Sequence, residues 1–411
     1  MTNTEIIIEH YQPSKSDKIP SGWEVKTLDE LGTFSKGKGI LKEQVIKEGF
    51  PCVRYGEIYT TYEFIIKSFK SFISAELAKE SKEIKRGDIL FAGSGETIEE
   101  IGKAVAYTGY EKAYAGGDVI ILSTKNVVDV ECLSYALETD TAKRQKRVLG
   151  QGNSIVHIYP GDLAKVRLPL PPLPEQKAIA HFLGLIDSAI NTNNQLISKK
   201  ELQKKWLMQN LLAGKKRLIG FGLEWENYKL EYFIEDYDEK PKDGIKYEVL
   251  TSAKAGLMKQ TDYYGDNRIT NREDADYNVI PPNYLTYRSR SDDGLFTFNK
   301  NTLSFVGLIS GYYPVFTIKN GDLDFILMFC NFYRYKLKKY CIGTSQLVLS
   351  MNALKSANFT LPQKEEQTAI ARVLRAADKE IQLLKTKTEK LREQKKGLMQ
   401  VLLTGRKRLI V

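Results

Sequence analysis

The residues with the strongest claim to chemistry are Phe91-Ala92-Gly93-Ser94-Gly95. A glycine-rich turn after a strand lets backbone approach a ligand closely, and F-x-G-x-G is a pattern of S-adenosylmethionine loops in amino-methyltransferases. That chemistry also needs an Asn/Asp-Pro-Pro-Tyr/Phe turn. The nearest string, Ile280-Pro281-Pro282-Asn283-Tyr284, puts the polar residue after the prolines. The loop therefore reads better as a glycine-rich DNA-facing loop or a plain turn. Gly102-Lys103 lacks the earlier glycine of a phosphate loop, because Thr97 stands five residues before it. Glu83-x-Lys85 matches the tail of a nuclease motif with nothing upstream to complete it. His10, His157 and His181 are scattered, and Cys52, Cys132, Cys330 and Cys341 show no zinc-type spacing. No catalytic residue and no metal ligand is expected, and the cysteines read as reduced, mostly buried thiols.

A second set of residues suits a polyanion. The 411-residue chain carries a formal net charge of +10, and phosphate contact by Lys and Arg is the usual reason for such a balance. Cations interleave with aromatic and amide residues in several groups. These are Lys36 and Lys38 with Arg54 and Tyr55, and Lys143, Arg144, Lys146 and Arg147 leading into Asn153 and Ser154. Later in the chain come Arg268 and Arg272, then Tyr287, Arg288 and Arg290, then Arg334, Lys336, Lys338 and Lys339, and finally Thr344, Ser345 and Gln346. Arg and Lys can read guanine and Asn and Gln can read adenine, although most such cations hold phosphates. Any one of them alone reads better as a solvated surface charge; taken as groups, the two readings stand level.

These groups must be positioned by something, and an internal repeat shows what. Glu175-Gln176-Lys177-Ala178-Ile179-Ala180 returns 191 residues later as Glu366-Gln367-Thr368-Ala369-Ile370-Ala371. The offset holds without a gap to Leu207-Met208-Gln209 and Leu398-Met399-Gln400, and on to Gly214-Lys215-Lys216-Arg217-Leu218-Ile219 and Gly405-Arg406-Lys407-Arg408-Leu409-Ile410. Each copy reads as a long helix. Ile370, Leu374, Ala377, Ile381, Leu384, Thr388, Leu391, Lys395, Leu398 and Leu402 alternate steps of four and three, which is a coiled-coil seam. Ile179, Leu183, Ile186, Ile190, Asn193, Ile197, Lys200, Lys204, Leu207 and Leu211 take the same phases. Asn193, Lys200 and Lys204 are polar seam positions of the kind that fix register.

The spacing predicts the first helix over about 175–212, after an extended Leu168–Pro174, with Gly214 and Gly405 as C-terminal caps. His181 aligns with Arg372, which favours surface or partner contact. Lys199, Lys204 and Lys205, with Lys390, Lys395 and Lys396, form a basic face for spacer DNA, for acidic partner surfaces or for solubility. Weaker parallels join the flanking regions: Trp23 and Leu28 with Trp225 and Leu230, and Gly152-Asn153-Ser154 with Gly343-Thr344-Ser345. Short apolar runs at Gly87–Phe91, Val119–Leu122 and Leu303–Val306 read as strands, and Glu131–Ala136 and Phe325–Cys330 as helices. The fold class is α+β.

This layout resembles the specificity subunit of type I restriction–modification enzymes over nearly the whole chain. The most specific parts are the Leu-Pro-rich approach, the Glu-Gln-x-x-Ile-Ala helix start and the Leu-Leu-x-Gly-basic-basic-Arg-Leu-Ile ending, each present twice. Gly87–Phe91 leading to Ser94, Thr97 and Lys103 is also similar to that family and adds those three residues to the DNA-contact candidates. Leu303–Gly307 is a looser analogue in the second half.

The resemblance implies two mixed α/β target-recognition domains, each reading half of a split, asymmetric site on double-stranded DNA. Two long antiparallel helices space them. The implied partners are two modification subunits that bind S-adenosylmethionine and methylate adenine, and two restriction subunits that use ATP and Mg2+. No cofactor is expected on this chain. The organisation is an N-terminal extension (1–20), domain one (21–170), central helix (171–219), domain two (220–361) and C-terminal helix (362–411). With no signal peptide or membrane span in the sequence, the expected location is cytoplasmic. The alternatives are a self-contained adenine methyltransferase and a coiled-coil interaction protein without DNA binding.

Overall fold

The computed structural model describes residues 19–152, 155–242, 247–253, 256–265, 277–344 and 346–409. Arg268, Arg272, Asn153, Ser154, Ser345, His10 and most of the expected extension 1–20 lie outside the described residues. Two unbroken 39-residue helices, Leu173–Leu211 and Lys364–Leu402, start and stop at repeat-equivalent positions. At 1.5 Å per residue each is about 58 Å long. The first begins earlier than its prolines suggest, with Pro174 inside the first turn. A proline is tolerated there because first-turn amides have no intrahelical acceptor. Extended chain is confined to Arg167–Leu170, which pairs antiparallel with Glu24–Thr27. Asn358–Leu361 pairs in the same way with Glu226–Lys229 ahead of the second helix.

The chain forms two compact units, one running to Asn194 and resuming at Thr386, the other Gln195–Lys385. Boundaries at 171–219 and 362–411 would set the helices apart as separate pieces. Packing instead shares each helix between the two units. Ile179 and Leu183 at the start of the first helix enter the core of the first unit, and so do Met399, Leu402 and Leu403 at the end of the second. In the second unit the roles reverse: Leu211 and Leu212 from the first helix join Ile370 and Leu374 from the second. The seam is buried or half-buried as its period requires: Ile190, Ile197 and Ile381 are buried, while Ile186, Leu207, Leu384, Leu391 and Leu398 are partly covered.

Ion pairs fix the antiparallel sense. Within the second unit Lys200 meets Glu380 at 2.8 Å and Lys204 meets Asp378 at 2.5 Å. Within the first, Lys395 meets Asp187 at 2.5 Å, with its ammonium 3.6 Å from the centre of the Phe64 ring. Tyr135 donates its hydroxyl to the same aspartate. Burial pulls the Lys395 pKa down, against the pull of Asp187. Lys204 and Lys395 therefore leave the expected basic face, because seam positions turn inward. Lys199, Lys205, Lys390 and Lys396 remain exposed.

Both units repeat one sheet. In the first it is ordered Gly32–Lys36, Val119–Thr124, Asp88–Ala92, Ala104–Tyr107, Ile65–Ile66. In the second it is Ile234–Tyr237, Val315–Ile318, Leu285–Tyr287, Phe298–Lys300, the same order without the fifth strand. Asp88–Ala92 is covered on both faces, Ile89 and Phe91 entering one cluster and Leu90 and Ala92 another, as period-two alternation dictates. A second four-stranded sheet accompanies each: Ser71–Ile73, Phe50–Val53, Ala113–Ala115 and Lys82–Ile84 in the first unit, and Gly256–Lys259, Glu248–Ala253, Gly307–Ser310 and Tyr277–Ile280 in the second. The strands expected at Gly87–Phe91 and Val119–Leu122 and the helices expected at Glu131–Ala136 and Phe325–Cys330 are present. Leu303–Val306 is not a strand. The Asn301 side chain accepts the Leu303 amide and donates to the Phe305 carbonyl, which bends the segment before the strand Gly307–Ser310.

The repeated Glu-Gln pair fastens each unit. Glu366 is buried and accepts two hydrogen bonds from Arg217 at 2.5 Å and one from Trp225 Nε1 at 3.3 Å. Glu175 is likewise buried and holds Arg408 and Trp23. The start of one helix thus grips the end of the other. Gln176 accepts the Asp129 amide and donates to the Pro171 carbonyl; Gln367 does the same with Asp322 and Pro362. Asp129 and Asp322 are the N-caps of Val130–Ala136 and Leu323–Phe332.

Candidate nucleic-acid interface

Each unit builds the same surface from three parts. The first is the end of the central strand. In the first unit Asp88–Ala92 runs into a rung at Ser94-Gly95; in the second, Leu285–Tyr287 runs into a rung at Arg290-Ser291. Each strand is entered by a left-handed residue, Gly87 (φ +97°) or Asn283 (φ +66°). The second-half counterpart of Gly87–Gly95 is therefore Asn283–Ser291. The expected analogue, Leu303–Gly307, lies elsewhere, because its apolar residues serve a bend that packs on the core.

The second part is a glycine hairpin. Gln151 and His157 exchange backbone hydrogen bonds at 2.8 and 2.7 Å, and Ile342 and Val348 do so at 3.0 and 2.8 Å. Gly152 (φ +117°) and Gly343 (φ +113°) open the two turns. His157 and Val156 pair with Ser94 and Gly95; Val348 and Leu347 pair with Arg290 and Ser291.

The third part is the basic helical segment before each hairpin, Asp140–Leu149 in the first unit and Arg334–Leu337 with Lys338–Tyr340 in the second. Thr139 caps the first, and its cations gather toward the C-terminal end, where the helix dipole favours them.

The expected DNA contacts divide on this framework. Lys36, Lys38, Tyr55, Thr97, Arg144, Arg147, Arg288, Arg290, Arg334, Lys336, Lys338, Lys339, Thr344 and Gln346 are exposed. Lys143 is half-covered and bound to Glu138, and Arg54 is half-covered and bound to Glu57. Four others are spent inside the fold and are corrected to structural roles. Ser94 is buried with its hydroxyl 2.9 Å from His157 Nδ1. Lys103 donates to the carbonyls of Tyr59 and Tyr62, and Lys146 to the Gly102 carbonyl and Glu138. Desolvation lowers the pKa of both lysines. Tyr287 is fully buried and donates to the Leu349 carbonyl.

Sequence reasoning missed Tyr159, whose ring lies 5.4 Å from Lys36 Nζ, and Tyr312, whose ring lies 4.5 Å from the Arg290 guanidinium. Each is distant in sequence from its cation, so no local pattern marks it. In the second unit Arg288, Arg290, Gln346, Gln260, Tyr264 and Tyr312 border a groove of about 440 Å³.

The glycine-rich loop is closed by the protein itself. A Cβ on Gly93 would stand 2.9 Å from the Asp118 carbonyl oxygen, and one on Gly95 would stand 2.9 Å from the Tyr59 hydroxyl. Its backbone bonds go to Asp118 and Ile158. Among the described residues, no group of three or more His, Cys, Asp or Glu is placed to hold a metal ion, and no helix is long and apolar enough to cross a membrane.

Lys146 and Arg147 test this division. Lys146→Ala is expected to lower stability by about 2–4 kcal/mol, since it empties a fully buried site, leaves the Gly102 carbonyl without its ammonium and leaves the Glu138 carboxylate to Lys143 and the Ala104 amide, and to leave the salt dependence of DNA binding alone. Arg147→Ala is expected to change stability by less than about 0.5 kcal/mol and to make the salt slope shallower by about 0.9. Thermal denaturation and salt-titrated binding read the two effects.

Two unlike readers built on one repeated frame, joined by two seam helices, define a two-domain DNA-recognition class of protein. The type I restriction modification DNA specificity domain family matches residues 20–202 and 224–393, and the chain belongs to that family. It is similar to the type I restriction enzyme MjaVIII specificity subunit of Methanocaldococcus jannaschii, at 25% identity over 98% of this chain and 96% of that one. The putative MjaX specificity subunit of the same organism is 24% identical over 98% and 97%. The fold resembles the crystal structure of a type I restriction–modification S subunit from M. genitalium, with a TM-score of 0.58 and 15% identity over 94% of this chain and 98% of that one.

Proposed function

We propose that this chain is the DNA sequence-recognition subunit of a type I restriction–modification complex. Each unit reads one half of a bipartite asymmetric site, and the helices space the readers and dock modification and restriction subunits. The observation that carries this reading is the repeated rung, glycine hairpin and basic segment, furnished with different side chains in each unit. A shared frame gives two readers, and unlike side chains give an asymmetric target. The chain supplies recognition. S-adenosylmethionine, ATP and Mg2+ belong to the partner subunits, two of each kind, and the location is cytoplasmic. The packed glycine loop supports this division of labour over a self-contained methyltransferase.

The test is to sequence methylated bases in DNA treated with the full chain plus modification subunits. A split motif with unlike halves is expected. S-adenosylmethionine-dependent methylation by the chain alone would establish the enzyme reading instead. Failure to shift any duplex at low salt would leave an interaction protein.

A further inference from the structure

Ser94 and Arg290 occupy the same place in the two units, each paired with the last strand residue of the glycine hairpin. In the first unit that place is closed, because Ser94 is buried against His157. In the second it is open. Arg290 is exposed at the rim of the groove with its guanidinium over the Tyr312 ring. The neighbouring carboxylates are engaged elsewhere. Asp292 accepts from Gln346 Nε2 at 3.4 Å, and Asp293 accepts from the Ser291 hydroxyl and the Leu295 amide.

The backbone around Arg290 is held on both sides. The Ser289 carbonyl accepts the Leu349 amide at 2.9 Å, and the Ser289 hydroxyl donates to the Tyr312 carbonyl at 2.5 Å. That second bond ties the arginine's strand to the residue whose ring it lies over. An arginine fixed at its backbone and laid on an aromatic face loses little freedom on binding and presents a planar fork of donors. Guanine offers O6 and N7 to such a fork in the major groove.

We infer that Arg290 reads a guanine in the second half-site through a two-pronged contact, with Tyr312 as the positioning residue. The inference rests on the recognition function proposed above. It explains why the second unit carries an open arginine where the first carries a covered serine: the two halves of the site differ at the base this position faces.

The test uses the full chain with its modification subunits and a DNA library randomised across the second half-site, with methylated products sequenced. Wild type is expected to require one G·C pair there. Arg290→Ala and Arg290→Lys are both expected to relax that requirement by about 5- to 150-fold, with the first half-site and the other positions unchanged. Tyr312→Ala is expected to relax the same pair by less. The lysine variant keeps the charge and loses the fork. A wild-type motif with Arg290→Ala overturns the inference, and uniform weakening by Arg290→Ala with a salt slope shallower by about 1 overturns it by making Arg290 a phosphate contact. A motif lost by Arg290→Ala but kept by Arg290→Lys overturns the two-pronged form of the contact, since a lysine can also reach guanine. A wild-type complex with no split motif overturns the recognition reading and this one with it. A split motif that the alanine variant leaves intact overturns only the inference.

Discussion

Glu366→Ala is expected to remove about 2–4 kcal/mol of stability from the second unit, although the residue is not itself a DNA candidate. Its carboxylate is buried and takes three hydrogen bonds, two from Arg217 and one from Trp225. Removing it strands an indole N–H and a partly covered guanidinium and leaves a void beside the first turn of the second long helix. Charge-assisted, forked bonds of this kind are the strong ones. The melting temperature is expected to fall by roughly 5–10 °C for a unit of this size. The effect should also be local in a telling way. The start of the second helix and the segment after Gly214 are expected to lose amide protection together, because Glu366 and Arg217 join them. Arg217→Ala should cost less, and the double variant little more than Glu366→Ala, since both remove one interaction. Additive losses, or a melting temperature within a degree of wild type, would show that the clasp does not hold the unit. Glu175→Ala is expected to act in the same direction on the first unit, where Arg408 and Trp23 take the equivalent places.

That clasp shows what a repeat in sequence conveys and what it withholds. The recurrence of Glu-Gln at an offset of 191 marked both helix starts, and the seam period put Ile179, Leu183, Ile370 and Leu374 inward. The roles of Glu175, Gln176, Glu366 and Gln367 depended mostly on partners far along the chain, including Arg408, Asp129, Arg217 and Asp322, and only the glutamine bonds to Pro171 and Pro362 fell within a local window. Residue type misled at Lys146, where a cation was read as exposed. The repeat carried the needed signal, since Lys146 aligns with Leu337 and both are buried. Tyr287 misled for a different reason. Its counterpart Phe91 lies 196 residues earlier, because the stretch between strand and hairpin is five residues shorter in the second unit. At the helix offset that match is out of register. The turn before each strand was equally hidden: Gly87 and Asn283 share a left-handed backbone, and asparagine is among the non-glycine residues that tolerate it best.

Gly152→Ala and Gly343→Ala are expected to blind one half of the DNA site each, and the argument is steric. At Gly152 an added Cβ would stand 2.1 Å from the Ile155 carbonyl oxygen, and at Gly343 2.3 Å from that of Gln346. Both neighbours are backbone atoms of the same short hairpin, so no side chain can move to make room. Both glycines also have φ near +115°, which L-residues rarely adopt. The turn must therefore open, and the residues it carries, such as Thr344 and Gln346 in the second unit, must shift. The hairpins touch the cores only through residues such as Val156 and Leu347, so the loss of stability should stay within about 1–3 kcal/mol. Recognition should suffer more. Losing two base-pair readings at about 1–3 kcal/mol each lowers specific affinity by at least about 30-fold, and by about 1,000-fold at the middle of that range. Non-specific binding should survive, because the cations on Asp140–Leu149 and Arg334–Leu337 are untouched and supply a salt-dependent hold on phosphates. The decisive measurement is competition with duplexes altered in one half at a time. Gly152→Ala should become indifferent to changes in the first half-site while still rejecting changes in the second, and Gly343→Ala should do the reverse. If both variants keep rejecting changes in both halves, the hairpins only brace the rungs beneath them, and reading must fall to the strand ends and the basic segments alone.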